Sequence, residues 1–167
     1  TPTDIGSMAD LTNRNTILLK GCSTVDLVAG AYKVQDFVTT YHKDGEIPPQ
    51  FRYCRNLMLD FNVYYGYNIL VEVNVVDHVI VNDADTVSAQ KVIKPKQFKQ
   101  LILSYIEALE LRGLVVDSDF TRENLTVSIS NTNPDRFNVF FRYKRSGVAR
   151  IVSTVAEAGF NFGTLAA

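Results

Sequence analysis

The sequence predicts an α+β fold: a single domain in which a mixed or antiparallel β-sheet packs with two or more helices and extended arms leave the ends. Three observations lead there. Apolar residues recur at three- and four-residue spacing after Pro49 and again after Pro95, two period-two runs flank the turn cluster Asn131–Asp135, and a β-branched run, Val148–Val155, precedes a Gly/Phe-rich end. A chain of 167 residues fits one domain with a sizeable core.

The first elements read as strands. Asn15–Lys20 (NTILLK) and Ala31–Tyr41 (AYKVQDFVTTY) are β-branched and apolar, and Gly21, Asp26 and Gly30 lie in the loop between them. Asp44-Gly45 and Pro48-Pro49 then break the chain. Beyond them Phe51, Cys54, Leu57, Met58, Phe61, Tyr64 and Tyr65 form the core-facing stripe of a helix. That helix is expected to weaken at Gly66, since glycine costs about 1 kcal/mol relative to alanine in a helix interior. A strand follows over Val75–Val81, then a polar connection, Asn82–Lys94.

Pro95 suits a first helical position, and Phe98, Leu101, Ile102, Tyr105 and Leu109 form a stripe that stops at Arg112-Gly113. Leu125–Ser130 alternates with period two, as do Phe137, Val139, Phe141 and Tyr143, so the turn cluster between them closes a β-hairpin. After Ser146-Gly147 the last β-branched run reads as an extended C-terminal arm. Thr1–Met8 (TPTDIGSM) resembles a cloning junction and residues 164–167 a vector remainder, which leaves 9–163 as the domain, a fragment of a longer protein.

Composition narrows the function. Hydrophobic residues at 46% and charged ones at 21% are an ordinary globular balance, and a net charge of -1 gives no bulk attraction for nucleic acid or an anionic membrane, so neither is expected as a partner. No apolar run approaches the roughly 18–20 residues of a membrane span, and the chain reads as a soluble cytosolic product. Cys22 and Cys54 lack CxxC spacing and a histidine cluster, so they read as buried free thiols.

Chemistry-bearing motifs are sparse. His42 falls in a polar turn and His78 in an apolar strand, and no second histidine stands at metal-ligand spacing. Gly21-Cys22-Ser23-Thr24 is not a nucleophile elbow, and no phosphate-cradling glycine loop occurs. Asp83/Asp85 and Asp117/Asp119 lack the rest of a calcium loop and read as solvated turns, and the acceptor sequence Asn124-Leu125-Thr126 lies in a strand. No catalytic residue, cofactor or metal is expected.

Two basic groups stand out: Lys91, Lys94, Lys96 and Lys99 around the start of the Pro95 helix, and Arg142, Lys144, Arg145 and Arg150 on the late strands. Lysines at a helix N-terminus oppose its dipole unless an acidic partner compensates.

Four stretches in order carry a resemblance. Gly30–Tyr41 (GAYKVQDFVTTY), Pro49–Asp60 (PQFRYCRNLMLD), Val92–Gln97 (VIKPKQ) with its helix, and Asn131–Gly163 (NTNPDRFNVFFRYKR followed by SGVARIVSTVAEAGFNFG) resemble the C-terminal core domain of contractile, Mu-like bacteriophage tail sheath proteins. The resemblance implies a structural subunit, not an enzyme. Such subunits polymerise around an inner tail tube, exchange terminal strands with neighbours, contract without nucleotide, and meet baseplate and tail terminator proteins. It implies a place in the virion tail after assembly in the host cytoplasm, and a role in genome ejection.

By the same resemblance the inter-subunit arm comprises Ser146, Gly147, Val148, Arg150, Ile151, Val152 and Val155, with Gly147 permitting a swing. Arg52, Arg55, Lys94, Lys96 and Lys99 are the residues expected to face an acidic tube. The competing classes are a non-contractile tail adaptor or terminator module and a small hydrolase using His78 with Asp77 or a serine of the polar connection.

Overall fold

The computed structural model describes residues 11–41, 50–149 and 154–156. The first element is a helix, α1 (Leu11–Leu19), where a strand over Asn15–Lys20 was expected. Arg14 and Leu18, four apart, are both buried, and the Arg14 guanidinium lies 2.5 Å from the Asp26 carboxylate. That i,i+4 face, fixed by a partner 12 residues on, outweighs the β-branched Thr16 and Ile17. Gly21 ends the helix at φ +81°, its N–H donating to Leu18 O at 3.0 Å, and a Cβ there would press on the Thr40 backbone.

The expected pair of strands forms with different partners. β1 (Thr24–Val28), from the segment read as loop, pairs antiparallel with β2 (Ala31–Asp36) across Ala29-Gly30, both at positive φ. Residues 37–39 then zip onto the start of the next helix: Cys54 N–H donates to Phe37 O at 3.0 Å and Thr39 N–H to Arg52 O at 2.7 Å.

Helix α2 (Cys54–Asn74) runs straight through Gly66. The glycine serves packing: Tyr105 donates its hydroxyl hydrogen to Val63 O at 2.8 Å, and a Cβ at residue 66 would strike that hydroxyl. The core face is also rotated from the expected stripe. Leu59 and Val63 are buried and Tyr67, Leu70 and Val71 pack against the core, whereas Met58, Phe61, Tyr64 and Tyr65 are exposed. The helix ends at Asn74 and a turn takes up residues 75–77, so the strand expected over Val75–Val81 shrinks to β3 (Val79–Ile80), parallel to β4 (Val92–Ile93).

Helix α3 (Pro95–Leu111) is the centre of the core and has the expected extent, though Leu101 and Tyr105 of the expected stripe are only partly buried and Leu103 and Ile106 join it. Phe98, Ile102, Leu103, Ile106 and Leu109 are buried, and the helix stops at Arg112 and Gly113 (φ +69°). β5 (Val115–Val116) follows, then a short helix α4 (Ser118–Glu123), then the expected hairpin of β6 (Thr126–Ile129) and β7 (Phe137–Phe140), and β8 (Lys144–Arg145), antiparallel to β5. Asn124 is not in a strand: it caps α4, its amide donating to Phe120 O at 2.8 Å.

The fold is α+β as predicted, but the strands make four two-stranded sheets among the described residues, not one continuous sheet. One cluster, which includes Leu59, Phe98, Ile102, Val115 and Leu125, joins α2 and α3 to β4, β5 and the start of β6. Cys22 is exposed and Cys54 half-buried, both free, so the reading of two buried thiols does not hold. No helix among the described residues is long and apolar enough to cross a membrane. His42, Pro48-Pro49 and the Gly/Phe-rich end lie outside the described residues.

Candidate functional site

The segment expected to form an arm begins at a built junction. β8 pairs Val115 with Arg145, and Ser146 N–H donates to Leu114 O at 3.2 Å. From α2, Asp60 accepts three hydrogen bonds: Tyr143 Oη at 2.6 Å, Arg145 Nε at 2.7 Å and an Arg145 terminal nitrogen at 2.5 Å. Arg55, one turn earlier on α2, donates to Ser146 O at 3.0 Å. The Arg145 guanidinium also stacks on Phe51, 5.7 Å from the ring centre. Residues 143–146 are therefore held to the first turns of α2 by two arginines and a carboxylate.

Electrostatics agree with that geometry. Burial opposes ionisation of Asp60, but the hydrogen bonds from Arg145 and Tyr143, with the Arg145 charge, outweigh it and hold the carboxyl below its usual range. Burial first, then the neighbouring Asp60 carboxylate, pushes the Tyr143 hydroxyl well up. The bond to Asp60 raises Arg145 in turn. At neutral pH this is a carboxylate–guanidinium pair with a neutral tyrosine. Nothing local in the sequence marks it, since the partners lie 83 and 85 residues apart.

Of the expected arm residues, Ser146 is half-buried at the root, and Gly147, Val148 and Val155 are exposed, Val155 at 89%. Arg150, Ile151 and Val152 lie outside the described residues.

The basic residues expected to face a partner fall into two groups. Arg52 and Arg55 sit at the start of α2, Arg52 half-buried and Arg55 engaged with the arm root. Lys94, Lys96 and Lys99 sit at the start of α3. The acidic compensation their placement called for comes from this chain itself. Asp83 accepts from Lys96 N–H at 3.0 Å, and the Lys94 ammonium donates to the Asp85 carbonyl at 2.6 Å. A carboxylate on a helix N-terminus offsets the lysines' effect on the dipole. The late basic residues are partly neutralised as well: Lys144 pairs with Asp117, the N-cap of α4, and Arg145 with Asp60.

His78 lines a cleft of about 1100 Å³ at the far end of α2, with Asp77, Asp135, Arg136 and the apolar Tyr67, Val71 and Phe98. Its Nδ1 lies 2.9 Å from Val76 O, so that nitrogen faces a backbone carbonyl. The lining of this cleft includes no serine, threonine or cysteine, whereas a smaller pocket that His78 also borders includes Ser104. Among the described residues no group of His, Cys, Asp and Glu could hold a metal ion.

Two apolar surfaces are open. On the β1–β2 hairpin the register places Val25 opposite Val34 and Leu27 opposite Tyr32, so these four share one face, and all are exposed. On α2, Met58, Phe61 and Tyr65, spaced at three and four, form a second apolar face opposite the core, with Phe61 71% exposed. Contiguous apolar surface of this kind marks interaction sites more often than solvent-facing ones.

The chain matches no known protein-family model. It is similar to the Mu-like prophage FluMu tail sheath protein of Haemophilus influenzae, with 28% identity over 142 residues, or 83% of this chain. That likeness supports a tail sheath relationship. The chain spans 29% of that relative's length.

Proposed function

We propose that this chain is the core module of a phage tail sheath subunit, a structural component that joins neighbouring copies through the arm leaving the body at Ser146 and carries out no catalysis. The observation that carries the reading is the likeness to a tail sheath protein over 83% of the chain. The arm root agrees with it: a strand pulled by a neighbour needs a fixed point, and Asp60, Arg145 and Arg55 supply one. The open apolar faces of β1–β2 and α2 are the further surface that packing between copies would cover.

On this reading the finer functions follow as parts of the same proposal. Subunits surround an inner tube, with Arg52, Arg55, Lys94, Lys96 and Lys99 as its basic contacts, and baseplate and terminator proteins close the ends. Contraction draws on the difference in contacts between two lattices, not on nucleotide. The assembly belongs to the virion tail and is built in the host cytoplasm.

The test is light scattering with negative-stain imaging of the intact chain and of one ending at Arg145. Concentration-dependent oligomers or tubes from the intact chain, lost on truncation, are expected. Equal association by both forms contradicts an arm-based assembly. For the tube contact, charge reversal at Lys96 and Lys99 is expected to weaken docking, and unchanged docking removes those residues from it.

A further inference from the structure

We propose that the open face of the β1–β2 hairpin in one copy seats on the open face of α2 in the next, so that copies meet through a contact between unlike surfaces. The inference rests on the assembly reading above and adds which surfaces meet. Alternation along the paired strands puts Val25, Leu27, Tyr32 and Val34 on one side of the hairpin. Asp26, on the other side, is bound by Arg14 of α1, so that side is anchored to the chain's own helix and the first is bare. On α2, Met58, Phe61 and Tyr65 recur at three- and four-residue spacing along about 10 Å of helix. All seven side chains are between 54% and 82% exposed, and none belongs to the core cluster.

Each face lacks what the other supplies. A two-stranded hairpin is marginal until a helix or a further strand supports it, and a helix that is apolar on both sides leaves one of them in water unless a second layer covers it. Neither face offers a charge. Between Asn56 and Val71 the only charged residue is Asp60, which Arg145 and Tyr143 engage. A charged partner finds nothing to pair with there, whereas an uncharged apolar face is matched. Within one copy the two faces stay apart: Cys54 N–H donates to Phe37 O at 3.0 Å and Thr39 N–H to Arg52 O at 2.7 Å, which pins the base of the hairpin at the start of its own α2. The occupant of each face is therefore a second copy.

Size and symmetry select the unlike pairing. The seven side chains offer roughly 800 Å² of apolar surface to the contact, near the lower limit for a specific interface. One such contact holds two copies weakly. Each copy makes it twice, once through its hairpin and once through its helix, and repetition stabilises the array. Like-on-like contacts close into pairs and leave the other face in water, whereas the unlike contact is open-ended and covers both.

The test is photo-crosslinking from the hairpin. Isotopically heavy full chain with a photo-reactive residue in place of Tyr32 is mixed with light chain at the highest soluble concentration, irradiated and mapped by mass spectrometry. Heavy–light adducts from residue 32 to residues 58–65 are expected, and Phe61→Asp in the light chain is expected to lower their yield at least about tenfold. Phe61 lies outside the core, so that variant is expected to keep its melting temperature. A folded Phe61→Asp chain giving the same yield overturns the contact. So does an absence of heavy–light adducts at residues 58–65, or their replacement by adducts at residues 25–34, the mark of hairpin-on-hairpin pairing. Such a failure leaves the assembly reading standing wherever truncation at Arg145 still abolishes oligomers. Adducts at residues 58–65 in chains that associate equally with and without the residues beyond Arg145 uphold the contact and count against the arm instead.

Discussion

Asp60 sets how firmly Arg145 and Tyr143 are held. Its carboxylate accepts from both Arg145 and Tyr143, so Asp60→Asn leaves a half-buried guanidinium without its charge partner. The expected loss is about 1–2 kcal/mol by thermal or urea unfolding, below the value for a fully buried pair because both side chains keep some solvent contact. Because the folded carboxyl titrates below its unfolded value, the pair's contribution is complete above the unfolded carboxylate pKa of about 4 and fades as pH falls through the folded one. The melting difference between the parent chain and Asp60→Asn is therefore expected at pH 7 and should shrink below pH 4; a constant difference would show that Asp60 acts through packing. Gly66 offers a second single-residue test. Gly66→Ala drives a methyl against the Tyr105 hydroxyl and is expected to cost about 1–3 kcal/mol, with partial recovery when Tyr105→Phe is added.

At the scale of elements, α3 and α2 differ in what their sequences specify. α3 has a proline start, one apolar stripe and a glycine stop, and the extent Pro95–Leu111 was legible, although the buried Leu103 and Ile106 lay outside the stripe read from spacing. Ile102 is fully buried in it, and Ile102→Ala is expected to cost about 2–5 kcal/mol in unfolding measurements. The β6–β7 hairpin was legible for a similar reason, since period-two alternation on both sides of Asn131–Asp135 admits one register. α2 is apolar on both faces, so spacing alone did not decide which side meets α3, and the stripe chosen from sequence is the open one. Phe61→Ser with Tyr65→Ser tests that assignment: stability should change by less than about 0.5 kcal/mol while self-association weakens, whereas a collapse of stability would place those rings in the core. α1 was misread because the contact that buries its polar Arg14 comes from a strand formed later in the chain.

For the whole molecule, long-range pairings made the difference between what was and was not legible. The α+β class follows from local periodicities, but the division into four small sheets depends on pairings such as β5 with β8, about which local pattern says nothing. The bonds that hold residues 145 and 146, Asp60 with Arg145 and Arg55 with Ser146, span 85 and 91 residues and carry no local signal. Those pairings leave exposed apolar faces on β1–β2 and α2, the surface that the proposed packing between copies would cover. The most direct measurement is cross-linking between isotopically distinct copies: heavy and light chains, each with a photo-reactive residue in place of Val155, are mixed, assembled, irradiated and read by mass spectrometry. Heavy–light adducts joining the arm to residues 50–145 as often as like-isotope adducts are the predicted result, and adducts confined to a single chain would contradict arm exchange between subunits.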